Sequence, residues 1–339
     1  HHDGFSMFDS KASDYNIVDR TPYGKDVLKM LAEACRKHDM KLFFYYSQLD
    51  WYRDDYFPRG RTGTGIEGRG EGNWDDYIDF MKAQLTELLT NYGEIGGIWF
   101  DGEWDQIKWD GKRFGTKIMD FKLDEVYKLI HDLQPQALIG SNHHLAPNPG
   151  EDFQMFEKDL PGRSTKSFAT KAEDIGNLPL EVCETINGSW GFNLKDRKHK
   201  SKKDLVQYLV KAAGYDSNLL LNVGPMPNGR IQKEHIKSLK EVGEWVNDYG
   251  KTIYGTRRGP IDPTDEIAST QIDNTVYIHL LNNYKKTYFI ENFHPKIKDL
   301  KYFDSNQKVS YEKTKSGLII NIDQDKLDPI DTILVLNIK

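Results

Sequence analysis

Gly96-Gly97-Ile98-Trp99-Phe100-Asp101-Gly102-Glu103-Trp104 is an apolar run that stops at a carboxylate followed by glycine. It reads as a buried strand of a parallel sheet that carries Asp101 to the C-terminal end, where barrel enzymes assemble their sites. The flanking aromatics suit stacking against sugar rings, although an Asp in this position also serves as a simple turn cap. The surrounding sequence alternates helix and strand signals. Upstream, Thr21-Pro22 reads as an N-cap and first helical residue, with Val27, Leu28, Leu31, Ala32 and Cys35 on one face. Lys41 to Ser47 is a buried strand, residues 48–73 form a Gly- and Arg-rich loop long enough to be functional or mobile, and 73–92 are helical.

Downstream, a helix is predicted near 118–133, followed by strands at 137–142 and 180–185. Ser201 and Asp204 have capping-box spacing and open a helix to Ala213, a strand covers 218–223, and a helix covers 231–249. Five strands and five helices in this order fit a (β/α)8-like barrel whose N-terminal strands are missing, or an open doubly wound sheet. After Pro263 the pattern becomes short β-rich runs separated by polar turns, which predicts a C-terminal β-sandwich. The expected division is a catalytic domain at 1–260 and a sandwich at 261–339.

Composition narrows the function. The 339 residues are 38% apolar and 12% aromatic, which argues against disorder. Lys plus Arg is 46 against 52 Asp plus Glu, a net charge of −6 with both signs mixed along the chain, so nucleic acid is a poor partner. Cys35 and Cys183 lack metal-ligand spacing and read as small buried apolar residues. No apolar run approaches the ~18 residues of a membrane span, and no targeting segment is visible. No GxGxxG follows a strand signal, and GxxxxGKS/T and GxSxG do not occur, so nucleotide binding and serine-hydrolase chemistry lack their signatures and no cofactor is expected.

A second acidic cluster, Gly150-Glu151-Asp152-Phe153-Gln154-Met155-Phe156-Glu157, follows the strand at 137–142. Two carboxylates near strand ends among aromatics are what glycoside hydrolysis needs, one to attack or activate water and one to protonate the leaving oxygen. A solvated acidic loop is the alternative. His1-His2 and His143-His144 are paired beside strand ends but match no compact zinc motif, so no metal is expected and bonding to sugar hydroxyls is the other use.

His-His-Asp-Gly-Phe at 1–5, Leu-Phe-Phe-Tyr-Tyr-Ser at 42–47, Trp-Phe-Asp-Gly at 99–102, Asn-Gly-Ser-Trp-Gly-Phe at 187–192, Asn-Leu-Leu-Leu-Asn-Val-Gly-Pro at 218–225 and Tyr-Gly-Lys-Thr-Ile-Tyr-Gly at 249–255 resemble, in order, motifs of the α-L-fucosidases of glycoside hydrolase family 29. The resemblance implies a (β/α)8-like barrel followed by a β-sandwich, and an exo-acting, retaining, metal-independent hydrolase of fucosylated glycans that works in the periplasm or outside the cell. By the same resemblance Asp101 is the nucleophile and Glu157 the acid/base, with Glu151 the runner-up. Glu157 follows Phe153, Met155 and Phe156, whereas Glu151 sits between Gly150 and Asp152. His1, His2, one of Tyr45 or Tyr46, and Trp99 would contact the fucose, with Trp190 near its C5 methyl. Two departures stand out. Asn142-His143-His144-Leu145 replaces the Asn-Asp-Arg-Trp of many relatives, which would put histidine in place of an arginine contact, and the first two barrel strands with their His-Trp-Gly motif are missing. A catalytically silent sugar-binding relative and a barrel hydrolase for another sugar are the rival readings. Oligomeric state is left open.

Overall fold

The structure is a computed structural model that describes residues 2–66, 68–109, 114–163, 172–281 and 284–339. The chain forms two compact units, His1–Met155 with Ala169–Pro179, and Phe156–Phe168 with Leu180–Lys339.

In the first unit, β1 (Phe43–Ser47), β2 (Gly97–Asp101) and β3 (Leu138–Asn142) are parallel neighbours in that order, and β4 (Phe153–Glu157) begins beside β3. The pairing aligns Ser47, Asp101 and Asn142 at one level at the C-terminal ends. Side chains alternate between two faces. Phe44, Tyr46, Ile98, Phe100 and Ile139 are buried, in one core with residues of α1 (Val27–Lys37), α2 (Trp74–Thr90) and α3 (Leu123–Leu133). The other face carries Tyr45, Trp99 and Asp101 and is open, with Phe43 38%, Tyr45 40% and Leu138 46% exposed.

The second unit holds β5 (Leu180–Thr185), parallel to β6 (Ser217–Asn222), and helices α4 (Lys202–Gly214) and α5 (Lys233–Tyr249). Its C-terminal strands form two antiparallel sheets. One contains β7 (Ile267–Ile272), β8 (Thr275–Leu280), β10 (Ile297–Tyr302) and β13 (Thr332–Ile338). The other contains β9 (Thr287–Glu291), β11 (Ser310–Thr314) and β12 (Gly317–Asn321). They share a core of Val276, Ile278, Leu280, Tyr288, Leu300, Leu318, Ile320 and Leu334. Val206, Val210 and Trp245 of the helices pack with Ala268 and Ile333 of the first sheet. The predicted capping box is present: Ser201 Oγ accepts from Asp204 N at 3.2 Å and Asp204 Oδ2 from Ser201 N at 2.9 Å.

The parallel strands do not close a barrel among the described residues, because β1 and β6 are each bonded along one edge only. Three local expectations need correction. Thr21 does not open α1. Its Oγ1 donates to Ile17 O at 2.6 Å and closes the single turn Ile17–Arg20, while Asp26 caps α1 by accepting from Lys29 N at 2.8 Å. The helix expected from 118 starts at Leu123, preceded by a hairpin of Ile107–Trp109 and Phe114–Lys117. The acidic stretch after β3 is not a loop throughout, since Phe153–Glu157 is a strand. Its first four residues are all buried, so it lacks the alternation that marks a half-exposed strand.

Candidate active site

Asp101 ends β2 on the open face, with its side chain 13% exposed. Gly102 follows at φ 101°, and a Cβ there would lie 2.7 Å from Leu49 Cβ and 2.8 Å from Leu49 N, so the sharp turn behind the carboxylate requires glycine. That turn aims two donors back at the carboxylate: Oδ1 accepts from Gly102 N at 2.8 Å and from Trp104 Nε1 at 3.0 Å. Asn142 Nδ2, level with Asp101 on β3, approaches the same oxygen at 3.4 Å. Oδ2 accepts from Tyr45 OH at 2.7 Å and lies 3.7 Å from His2 Nε2. Tyr45 stacks on Trp99, ring centroids 5.5 Å apart. These donors hold the carboxylate in one orientation.

His2 is held by its backbone and its ring. Its carbonyl accepts from Trp51 N at 2.8 Å, and its ring meets Trp51 and Trp104 edge-on at 5.6 and 5.8 Å. Ser47 Oγ donates to Leu49 O at 2.5 Å, so it accepts from His2 Nδ1–H at 2.7 Å and turns Nε2 toward Asp101. Burial lowers the His2 pKa below its usual value despite the opposing pull of Asp101, so the ring is neutral near pH 7. Gly4, at φ 74°, lets this segment pass Asp50, whose Oδ1 would be 2.6 Å from a Cβ there. The long loop beyond Asp50 is anchored on buried Asp105, which accepts from Tyr56 OH at 2.8 Å and from Thr62 N and Oγ1, both at 2.7 Å.

Tyr46 is on the opposite side of β1. It is buried and its OH donates to Gln84 Oε1 at 3.0 Å, so of the two candidate tyrosines only Tyr45 meets Asp101. His143 is also buried, and its Nε2 pairs with Glu151 Oε1 at 2.9 Å. Tyr127 OH and Asn148 Nδ2 each approach Glu151 Oε1 at 3.2 Å, and Asn148 Nδ2 also reaches Glu103 Oε2 at 3.1 Å. Burial disfavours the charged form of His143, but the hydrogen bond and charge of Glu151, with Glu103 beyond, leave its pKa above the usual value. Both side chains of this pair are 2% exposed or less. His144 is buried beside it with a left-handed backbone, φ 63°. His1 lies outside the described residues.

In the second unit, Glu157 is half-buried at the end of β4, and Lys158 follows in the left-handed region, φ 57°. Lys158 Nζ donates to Gly188 O at 3.1 Å and stands 4.9 Å from the Trp190 ring centroid. Trp190 is 37% exposed, and its carbonyl accepts from Asn222 Nδ2 at 2.8 Å.

Comparison with known proteins gives this arrangement a family. The family model described as Alpha-L-fucosidase matches residues 1–251. The chain belongs to the α-L-fucosidase family. Alpha-L-fucosidase isoenzyme 1 from Paenibacillus thiaminolyticus is similar in structure, with a TM-score of 0.79 and 30% identity over 100% of this chain and 81% of that one. The Thermotoga maritima alpha-fucosidase gives 0.72 and 26% over 99% and 74%. Among curated proteins, Alpha-L-fucosidase 1 of Arabidopsis thaliana is 29% identical over 73% of this chain and 47% of its own length. The human tissue alpha-L-fucosidase is 25% identical over 76% and 51%. The chain therefore spans about half the length of the curated relatives it matches. Within this α-L-fucosidase fold, sequence reasoning missed Ser47, Trp51 and Trp104 as the residues that orient His2 and Asp101. The available signal was positional, since Ser47 ends the neighbouring strand at the level of Asp101 and Trp104 follows it by three residues.

Proposed function

We propose that this chain is a retaining, exo-acting α-L-fucosidase that releases terminal α-L-fucose from glycans or glycoconjugates, in the periplasm or outside the cell. Residues 1–260 supply the larger part of a (β/α)8-like barrel, and 261–339 supply the sandwich. The observation that carries the reading is the Asp101 carboxylate, fixed at a strand end by Tyr45, Gly102 and Trp104, with an aromatic wall and a neutral His2 beside it. A carboxylate so held attacks an anomeric carbon without reorganising in the transition state. Asp101 displaces the aglycone as Glu157 donates its proton to the leaving oxygen. Glu157 then takes a proton from water, which attacks the β-linked fucosyl-enzyme and releases α-L-fucose. His2 Nε2 accepts from a sugar hydroxyl, Trp99 and Tyr45 face the ring, and Trp190 covers the C5 methyl. His1 joins His2 by family resemblance.

The open face of β1 to β3 favours a second reading, a sugar-binding relative without turnover. One experiment separates them. The chain should hydrolyse an aryl α-L-fucoside with α-L-fucose as the first-formed anomer by proton NMR. Asp101→Ala should lower turnover by at least about 10³-fold, and azide should restore part of it as β-fucosyl azide. Near-wild-type rates in Asp101→Ala would remove Asp101 from the chemistry, and fucose binding without hydrolysis would establish the second reading.

A further inference from the structure

Residues 195–203 read Lys-Asp-Arg-Lys-His-Lys-Ser-Lys-Lys, six cations and one carboxylate in nine residues of a chain whose net charge is −6. The run is strapped to the Trp190 loop. Asp196 Oδ2 accepts from Gly188 N and Ser189 N, both at 2.7 Å, and Lys200 N donates to Ile186 O at 2.8 Å. Lys200 Nζ also donates to Thr185 O at 2.6 Å and lies 3.3 Å from Glu184. The single carboxylate of the run accepts from these loop amides and makes no ion pair among the described residues. Lys200 is committed to Glu184, and Lys202 lies 3.5 Å from Glu244.

Lys195, Arg197, Lys198 and Lys203 have no ion-pair partner among the described residues, and the first three are exposed. Lys202 and Lys203 stand in the first turn of α4, where the helix dipole opposes positive charge, so their placement does not serve helix stability. Leu194, next to Lys195 in the chain, is 75% exposed, and Trp190 is 37% exposed. A concentrated positive rim next to an indole and a leucine matches a sugar chain that also carries negative charge. Resting on the fucosidase reading, we propose that this rim binds an anionic substituent, a sulfate ester or a carboxylate, on the glycan next to its terminal fucose.

The test uses three oligosaccharides matched in their terminal fucose: neutral, sulfated on the neighbouring residue, and carboxylated there. Binding and kcat/KM are both measured for the wild-type chain at low and high salt. The expected result is a preference for one or both anionic substrates of roughly tenfold at low ionic strength, shrinking toward unity at ~0.5 M salt. Whichever anionic arm gains identifies the group. In Lys195→Gln/Arg197→Gln/Lys198→Gln the anionic-to-neutral ratio should fall close to one at low salt. A wild-type ratio of one, a preference that the triple variant keeps, or equally tight binding of a sulfated chain without fucose would each overturn the proposal. Preferential binding of anionic fucosylated glycans without hydrolysis of any would leave the rim standing and overturn the fucosidase reading instead.

Discussion

Glu151→Ala separates the two candidate acid/base residues by their physical situations. Glu151 Oε1 takes Nε2 of His143 at 2.9 Å and the Tyr127 and Asn148 donors at 3.2 Å, all with the carboxylate out of water. Truncation takes the acceptor from two buried donors, His143 Nε2–H and Tyr127 OH, while half-buried Asn148 keeps Glu103 Oε2. Hydrogen bonds to charged groups contribute about 1.5–3 kcal/mol each, while release of the buried carboxylate from its desolvation offsets part of the loss, so the net cost is about 3–5 kcal/mol. In a unit of this size that lowers Tm by roughly 10 °C. The loss should depend on pH in a defined direction. His143 has a raised pKa in the folded chain, so its share of the stability is fully present below the unfolded value of about 6.5 and fades as pH rises through the folded value. The gap between wild type and variant should therefore be wider near pH 5.5 than near pH 9. Calorimetry at both pH values provides the first measurement. Hydrolysis at 25 °C provides the second, and activated and unactivated fucosides should lose similar, modest factors with no rescue by azide. A variant that melts like wild type, yet loses several decades on poor leaving groups and is rescued by azide as α-fucosyl azide, would refute this reasoning and make Glu151 the acid.

Glu157→Ala should show that last kinetic pattern, several decades lost on poor leaving groups, less on activated aryl fucosides, and α-fucosyl azide as the rescued product. Tyr45→Phe removes one charge-assisted bond to Asp101 while keeping the ring against Trp99, and kcat should fall about tenfold, with KM little changed. Trp190→Ala should erode discrimination between α-L-fucosides and matched α-L-galactosides. Burying an unpaired hydroxyl costs about 1–3 kcal/mol, so the wild-type ratio of kcat/KM should drop by roughly tenfold or more. An unchanged ratio would leave Trp190 as a structural residue.

The strand carrying Asp101 was legible because apolar length and an Asp-Gly stop coincide there, and the Gly102 turn shows why glycine was required. The parity of Tyr45 and Tyr46 was not legible. Adjacent aromatics on a strand point to opposite faces, and only pairing with β2 decides which face carries Asp101. Glu151 looked exposed from its neighbours Gly150 and Asp152, because the groups that enclose it, Tyr127 and His143, come from other elements. β4 escaped notice for a related reason. A short strand buried on both sides has no alternation, and the acidic residues around it mimic a loop. The anchoring of the long loop by Asp105 was likewise hidden, since it depends on contacts more than forty positions apart.

The two faces of β2 divide the labour of persistence and change. Ile98 and Phe100 are fully buried, and the energy that keeps them there also keeps Asp101 at its level, because slipping the strand by one residue would exchange the carboxylate with a core phenylalanine. Tyr45 and Trp99 contribute little to that core, being partly exposed on the other face. Substitutions on the open face thus draw on a different reserve from those that hold Asp101 in place. Residues on the open face can therefore change while the buried face that fixes the level of Asp101 stays as it is.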